Sequence, residues 1–195
     1  MKTPTQSQIE ALHHKHAPNQ AAFDLIYGHC QIIWAIAEQL IDHGSLKVDR
    51  SLVKAACLLH DIGVYQVPGL TDAPNSQYIR HGILGHAILA KEGFDAGFCR
   101  FADHHTGAGI SKQQILDRGL NLPPKDYFAE TPEERLLMYA DKFHSKRPCF
   151  NSYTWYRDHV GQFGPEVLAR LDALRNEFGE PDLVPLSRKY HQPIR

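Results

Sequence analysis

The chain has no excess of basic charge and no long apolar run. Its 21 lysines and arginines stand against 22 aspartates and glutamates among 195 residues, a formal net charge of −1, which argues against a protein that binds bulk nucleic acid through its phosphates. The longest apolar run covers only residues 32–37, whereas a membrane-spanning helix needs about 20 residues. The first eight residues also lack the apolar segment of a signal peptide. We therefore expect a cytoplasmic protein, with neither bulk nucleic acid nor a membrane as partner.

Cysteine and methionine are scarce, with four and two residues. The four cysteines lie far apart, at Cys30, Cys57, Cys99 and Cys149. They form no Cys-x-x-Cys pair of the kind found in zinc knuckles and redox motifs, and a cytosolic chain of this size needs no disulfides. Histidine, by contrast, occurs 13 times. Because imidazole is the commonest metal ligand and the usual general acid or base, the positions of these histidines bear on function.

Apolar residues recur with helical spacing, and no segment shows the alternation typical of a strand. The pattern predicts helices at about 21–43, 51–59, 81–92, 94–102, 131–144 and 165–178, and a loop over 106–124 with a short helical turn near 112–116. We expect one all-α domain, a helical bundle with a buried metal site. Residues 1–18 are interpreted as an N-terminal extension and residues 147–195 as helices and a tail packed on the same domain. The amphipathic helix at 165–178 is expected either to cover the core or to form a dimer face, so a homodimer is possible.

Imidazoles and carboxylates fall on the apolar faces of five separate elements. His29, His60, His81, His105 and Asp141 each lie three to five residues from apolar neighbours on their own helix. Any one of them alone is more simply a hydrogen-bonded core residue. A single metal centre, however, would explain all five, because a buried charge must be paired or bound to a metal.

The ligand types narrow the choice of metal. Imidazole and carboxylate without thiolate suit Fe, Mn, Zn, Ni, Co or Mg. His60 and Asp61 are adjacent and project in different directions, so His60 can bind one ion while Asp61 lies between two. The set contains more potential ligands than one ion needs if it keeps coordination positions open for water or substrate. Two divalent ions are therefore expected, an arrangement that activates water and clamps phosphoryl oxygens.

The ordered set resembles the HD-domain superfamily of metal-dependent phosphohydrolases over about residues 20–146. That family carries an isolated His, a His-Asp doublet, one or two further histidines and a final Asp on helices. Residues 60–63 read His-Asp-Ile-Gly, the string of one subgroup. Residues 81–85 match its His-x-x-x-Gly step, and residues 140–142 match its closing Ala-Asp-Lys.

The resemblance implies a role for each matching residue. His29, His60, Asp61 and Asp141 would bind the first metal, Asp61 would bridge, and His81 with His104 and His105 would hold the second. His60 and Asp61 would be the catalytic doublet of a hydrolase domain at 19–146. The implied reaction is attack by a metal-activated water on a small phosphorylated substrate, a nucleotide or related phosphoester, in a phosphatase or phosphodiesterase reaction.

Two departures from the family pattern matter. Val64 stands where many members carry Lys after the His-Asp-Ile-Gly string, and the Gly-Tyr-Pro motif of cyclic-di-GMP phosphodiesterases is missing, which argues against that substrate. The same ligand scaffold supports di-iron oxygenases, whose expected lysines are absent at Val64 and Gly109. An HD-type di-iron oxygenase and a non-catalytic nucleotide-sensing HD module remain the alternatives.

Several further residues are candidates for supporting roles. The cations proposed to contact a substrate phosphate are Lys142, Lys146, Arg147 and Arg80. Asp103 and His144 could orient metal ligands through hydrogen bonds. His86 is expected to face away from the site, and the N-terminal histidines His13, His14 and His16 are expected to be exposed and without function.

Overall fold

The computed structural model describes residues 3–44 and 46–195. Over these residues the chain forms eleven α-helices and one short β-hairpin, which confirms the all-α prediction. The helices are α1 (Gln6–His16), α2 (Gln20–Gly44), α3 (Arg50–Leu59), α4 (Asn75–Tyr78), α5 (His81–Lys91), α6 (Ala96–Asp103), α7 (Lys112–Arg118), α8 (Pro132–Ala140), α9 (Tyr153–Val160), α10 (Pro165–Phe178) and α11 (Leu183–Tyr190). The hairpin joins β1 (His144–Ser145) to β2 (Cys149–Phe150), and 3-10 turns cover Ile62–Gln66, Leu70–Asp72, Asp141–Phe143 and Gly161–Phe163. None of the described helices is long and apolar enough to cross a membrane.

Helix α2 is the centre of the core. Ile26, Ile33 and Ile36 on its inner face are fully buried, and the helix packs on α3 and α8. The apolar face of α10, including Leu171 and Leu174, is buried on the chain's own core. This face therefore covers the core within the chain.

The predicted helix starts agree with observed caps. Asp49 accepts hydrogen bonds from the first backbone N–H groups of α3, as an N-cap carboxylate should. Thr131 and Glu134 form a capping box at α8, with Pro132 at its first position. Helix α8 ends at Ala140, however, and the prediction that it continues to 144 is wrong. Asn151 donates hydrogen bonds to the carbonyls of Lys142 and Phe143, so these carbonyls are paired with the hairpin instead of with a further helical turn.

The sequence interpretation missed α1 and the environment of His13. Thr5 and Gln8 form a capping box that starts α1. His13 is fully buried, which corrects the expectation that it is exposed. Its Nε2–H donates to the carbonyl of Leu58 at 2.6 Å, and its Nδ1 accepts from the hydroxyl of Tyr65 at 2.8 Å. Burial lowers the pKa of His13 to about 4, so a neutral imidazole ties α1 to the segment around the His-Asp doublet.

Glycines let three elements approach closely beside this doublet. A Cβ on Gly63 would lie 2.0 Å from the carbonyl oxygen of His81 and 2.2 Å from the nitrogen of Gly85. A Cβ on Gly82 would lie 2.8 Å from the carbonyl oxygen of Ala102. Helix α5 is therefore packed backbone to backbone between the Ile62–Gln66 turn and α6. This packing brings the ends of α3, α5 and α6 together.

Candidate metal centre

The residues brought together form two groups that share Asp61. The first contains His29, His60, Asp61 and Asp141, and the second contains Asp61, His81 and His105, with potential ligand atoms within 4.8 Å of one another in each group. His29 comes from the middle of α2, His60 and Asp61 from the end of α3, and Asp141 from the turn after α8. His81 begins α5, and His105 follows α6.

The two carboxylate oxygens of Asp61 face different groups. Oδ2 lies 3.2 Å from Nε2 of both His29 and His60. Oδ1 lies 3.6 Å from Nε2 of His81 and 3.7 Å from Nε2 of His105. The second carboxylate, Asp141, places Oδ1 3.1 Å from Nε2 of His29 and 3.5 Å from Nε2 of His60. Asp61 therefore presents one carboxylate oxygen to each ligand group.

The donor atoms of this cluster fit a metal. His60 Nε2 and Asp61 Oδ1 are buried without a hydrogen-bond partner among the described residues. Nε2 of His81 and Nε2 of His105 are 3.0 Å apart, while their Nδ1 atoms bond to backbone carbonyls. Two imidazole lone pairs and a carboxylate that converge out of water need a cation to satisfy them. Divalent ions that prefer nitrogen and oxygen ligands match this set.

Burial and neighbouring charges shift the pKa values in the cluster. Burial disfavours the charged form of Asp61, but Lys146 and His60 outweigh it and hold the pKa of the carboxyl well below its usual range. Burial likewise opposes charge on His60, yet Asp61 raises the pKa of this imidazole well above its ordinary value. Burial lowers the pKa of His81 and lowers that of His105 further. Asp61 is therefore ionised, and the second group offers neutral imidazoles.

Two lysines neutralise the carboxylates. The ammonium of Lys142 donates to Asp141 Oδ2 at 2.9 Å and to the carbonyl of His105 at 3.0 Å. The ammonium of Lys146 contacts Asp61 Oδ2. Burial opposes charge on both, but the facing carboxylates raise the pKa of Lys142 and of Lys146 above the ordinary value.

A cleft of about 450 Å³ opens beside the cluster. Asp141, Lys142, His144 and Lys146 line it together with Arg147. The remaining wall comes from residues that sequence reasoning missed, namely Thr71, Tyr78, Ser145, Asn151, Trp155, Tyr156, His159 and Arg195. Arg195 stacks 3.7 Å over the Trp155 ring and donates to Asn151.

Other expected residues lie outside the cluster and the cleft. His104 turns away: its Nδ1 donates to the carbonyl of Phe128 at 2.8 Å, and its Nε2 faces Asp103. The structure does not bring His104 into either ligand group, because His104 caps the end of α6 and the next residue, His105, turns inward. Asp103 contacts His86 and Lys125 instead of a cluster ligand. Arg80 is exposed and does not line the cleft.

The family model of the HD domain matches residues 26–146. This match covers more than half of the chain and includes both ligand groups. The chain belongs to the HD-domain family. The resemblance noted in the sequence is thus confirmed.

Relatives of this HD domain include an uncharacterised protein, MJ0778 of Methanocaldococcus jannaschii, which is 38% identical over 124 residues, 61% of this chain and 67% of that protein. The tRNA (cytidine(56)-2'-O)-methyltransferase of Picrophilus torridus is 36% identical over 133 residues, 68% of this chain and 35% of that enzyme. The corresponding enzyme of Thermoplasma volcanium is 34% identical over 120 residues, 62% of this chain and 32% of the enzyme. The chain spans about a third of the length of these methyltransferases, and their activity is a property of those longer proteins.

Solved structures support the same fold. The HD domain of the L. monocytogenes phosphodiesterase PgpH, in complex with cyclic-di-AMP, has a TM-score of 0.55 at 16% identity, covering 96% of this chain and 99% of that one. A second structure of that domain has a TM-score of 0.53 at 17% identity, covering 93% and 92%. At these identities the likeness concerns the HD-domain architecture.

Proposed function

We propose that this HD domain is a metal-dependent phosphohydrolase with two divalent ions, acting on a small phosphorylated substrate such as a nucleotide or related phosphoester. One observation carries the proposal: the ligand cluster and the cationic cleft share residues. Asp141 is a potential ligand and lines the cleft, and Lys142 and Lys146 pair with the cluster carboxylates from the cleft side. An anionic group in the cleft would therefore lie beside the ions.

Each ligand group would hold one ion, so that the two ions would lie on either side of Asp61. His29, His60 and Asp141 would complete the first site, and His81 and His105 the second. When bound, such ions activate a water for attack on phosphorus and neutralise charge on the phosphoryl oxygens. The buried residues around them contribute by excluding bulk water from Asp61 and His60, which are both fully buried.

The cleft residues suit a phosphoester. Lys142 and Lys146 place ammonium groups at the cluster, and Arg147 and Arg195 add positive charge to the lining. Charged donors of this type bind phosphate oxygens strongly. The half-buried rings of Tyr78 and Tyr156 form part of the cleft wall. Such aromatic surface could contact the organic group of a phosphoester.

The test is hydrolysis of a panel of phosphoesters by the purified protein. The panel contains p-nitrophenyl phosphate, bis-p-nitrophenyl phosphate, nucleoside monophosphates and cyclic nucleotides, each with Mn²⁺, Co²⁺, Ni²⁺, Mg²⁺, Zn²⁺ or Fe²⁺. Elemental analysis gives the number of ions bound. We expect hydrolysis that depends on added metal and is lost with chelator, with release of phosphate from monoesters and of a phosphomonoester from diesters.

Matched aspartate variants provide the control. Asp61→Asn removes the carboxylate that both groups share and should abolish both metal binding and hydrolysis. Asp103→Asn changes a carboxylate that is also buried but lies outside the cluster, and it should keep both properties. Hydrolysis that survives Asp61→Asn would contradict the proposal. So would bound iron with oxygen consumption and no phosphoester turnover, since these indicate an oxygenase.

A further inference from the structure

The imidazoles of the cluster are supported in two different ways. Nδ1 of His60, His81 and His105 each bonds to the backbone carbonyl three residues earlier, at 2.8, 2.8 and 2.6 Å. Since a carbonyl only accepts, Nδ1 carries the hydrogen in all three rings. In the neutral ring, Nε2 is thereby left with a lone pair that faces the cluster.

Position along the helix explains where these carbonyls come from. The last four carbonyls of a helix have no partner within it. Cys57 and Ala102 lie in the last turns of α3 and α6, and Tyr78 is the last residue of α4. His29 lies in the interior of α2, where the preceding carbonyls accept from the helix's own N–H groups. Its ring therefore needs an acceptor from another element.

That acceptor is the ring of His144. Nδ1 of His29 lies 2.8 Å from Nδ1 of His144, and the rings stack with centroids 5.1 Å apart. Nε2 of His144 lies 2.7 Å from Oε1 of Gln192. The amide oxygen accepts from His144 Nε2–H, which leaves His144 Nδ1 as an acceptor for the hydrogen on His29 Nδ1. With this hydrogen on Nδ1, the lone pair of the neutral ring at Nε2 is offered to a cation held beside Asp61 and Asp141, whose oxygens lie 3.2 and 3.1 Å from Nε2.

The tail that carries Gln192 is held in place by backbone bonds. After α11, His191 takes a left-handed conformation with φ 54°, and the Ser187 hydroxyl donates to the carbonyl of Gln192 at 2.5 Å. Residues 193–195 then run along β2, where Phe150 donates to the carbonyl of Pro193 and accepts from Arg195. Phe150 also pairs with His144 across the hairpin. The tail and the hairpin thus fix both ends of the contact between Gln192 and His144.

We propose that His144 and Gln192 are positioning residues that hold the hydrogen of His29 on Nδ1, so that Nε2 is available to the first metal. This relay, from Gln192 through His144 to His29, links the C-terminal segment to the cluster. It rests on the metal site of the proposed function, although it does not depend on phosphoester hydrolysis. Such outer partners of ligating imidazoles typically contribute 10–100-fold to metal affinity.

Metal affinity tests the relay directly. Mn²⁺ or Co²⁺ is titrated into the metal-free full chain in competition with a fluorescent chelator. Gln192→Met removes the acceptor and should weaken binding about 10–100-fold, whereas Gln192→Glu keeps an acceptor oxygen and should restore it. His144→Phe keeps an aromatic ring in contact with Phe150 but offers His29 no acceptor, so its metal affinity should fall as far as that of Gln192→Met. Gln162→Met makes the same change at an exposed glutamine and should have no effect.

NMR of the histidine rings in the metal-free protein gives a second measurement. Its result would not change if Gln192 and His144 had only a structural role. Long-range ¹H–¹⁵N correlation should show a hydrogen on Nδ1 of His29 in the wild type and a smaller fraction of rings with that hydrogen in Gln192→Met, with the signal assigned by its loss in His29→Gln. A wild-type His29 that carries no hydrogen on Nδ1 would overturn the relay, as would unchanged metal affinity in both Gln192→Met and His144→Phe. If the wild type binds no divalent ion, the proposed function fails, and the tautomer still decides the relay.

Discussion

The ammonium of Lys146 contacts Oδ2 of Asp61, the same oxygen that faces His29 and His60. A divalent ion bound to this oxygen would lie beside the ammonium, and the two positive charges would repel each other. Lys146, which also lines the cleft, therefore opposes metal binding at the first group.

We predict that Lys146→Met strengthens Mn²⁺ binding by at least about fivefold, or about 1 kcal/mol, while lowering phosphoester turnover. Calorimetric titration of the metal-free protein measures the first effect and steady-state kinetics the second. Lys125→Met is the control, because Lys125 pairs with Asp103 outside the cluster. Weaker metal binding in Lys146→Met would show that the lysine does not compete with the ion.

Gly63→Ala should destabilise the fold strongly. The new methyl group would lie 2.0 Å from the carbonyl oxygen of His81 and 2.2 Å from the nitrogen of Gly85, and backbone atoms cannot move aside without shifting α5. Overpacking of this kind costs about 1–3 kcal/mol or more. Gly28→Ala is the matched control, because nothing lies within 4 Å of its Cβ position and alanine favours a helix by up to about 1 kcal/mol. Urea unfolding of both variants measures the difference, and equal stability would contradict the close approach.

Acid should destabilise the protein through His13. Burial lowers the pKa of His13 to about 4 in the folded state, against 6.5 ordinarily. Between these values the unfolded chain binds more protons, so the free energy of unfolding falls as the pH falls from about 6.5 to 4, by about 3 kcal/mol in total.

Urea unfolding at several pH values, with chelator present, measures this loss. His13→Gln should be less stable than the wild type at pH 7 because the hydrogen bonds to Leu58 and Tyr65 are altered. It should lose less stability on acidification, so that the two pH profiles converge. His14→Gln changes an exposed histidine of the same helix and should follow the wild-type profile. Parallel profiles for the wild type and His13→Gln would refute the assignment.

Two arginines that looked equivalent in the sequence should differ in function. Arg147 lines the cleft, whereas Arg80 is exposed outside it. Arg147→Gln should raise KM for a phosphorylated substrate by up to about fivefold, as expected for an exposed ion pair, with metal affinity unchanged. Arg80→Gln should leave KM unaltered. An equal rise in both variants would show that a general surface charge, and not the cleft, attracts the substrate.

Helical periodicity was sufficient to find five of the six residues that converge, whereas Asp61 was found as the neighbour of His60. His29, His60 and Asp141 lie on apolar faces, and a residue on such a face must point inward. Of the pair His104 and His105, the periodicity favoured His105 and only the family resemblance added His104. The backbone turn at His104 directs the ring of His105 toward Asp61.

Other features were not available to a search for apolar periodicity. The capping box of Thr5 and Gln8 that starts α1 is a local signal in the sequence, but the polar composition of that segment obscured it. The cleft wall is different, since Trp155 and Arg195 are brought together by the tail that pairs with β2. Trp155 and Arg195 are far apart in the sequence, and no local sequence pattern relates residues so far apart. Their contact is therefore visible only in the fold.

The two kinds of support for the imidazoles differ in how substitution can alter them. A backbone carbonyl is present whatever side chain its residue carries, so mutation of Cys57, Tyr78 or Ala102 leaves an acceptor for His60, His81 or His105. The support of His29 depends on the side chains at two positions. The metal affinity of the group that contains His29 could thus be tuned, by evolution or by design, without changing any ligand, whereas the backbone acceptors of His81 and His105 allow no such adjustment by side-chain substitution.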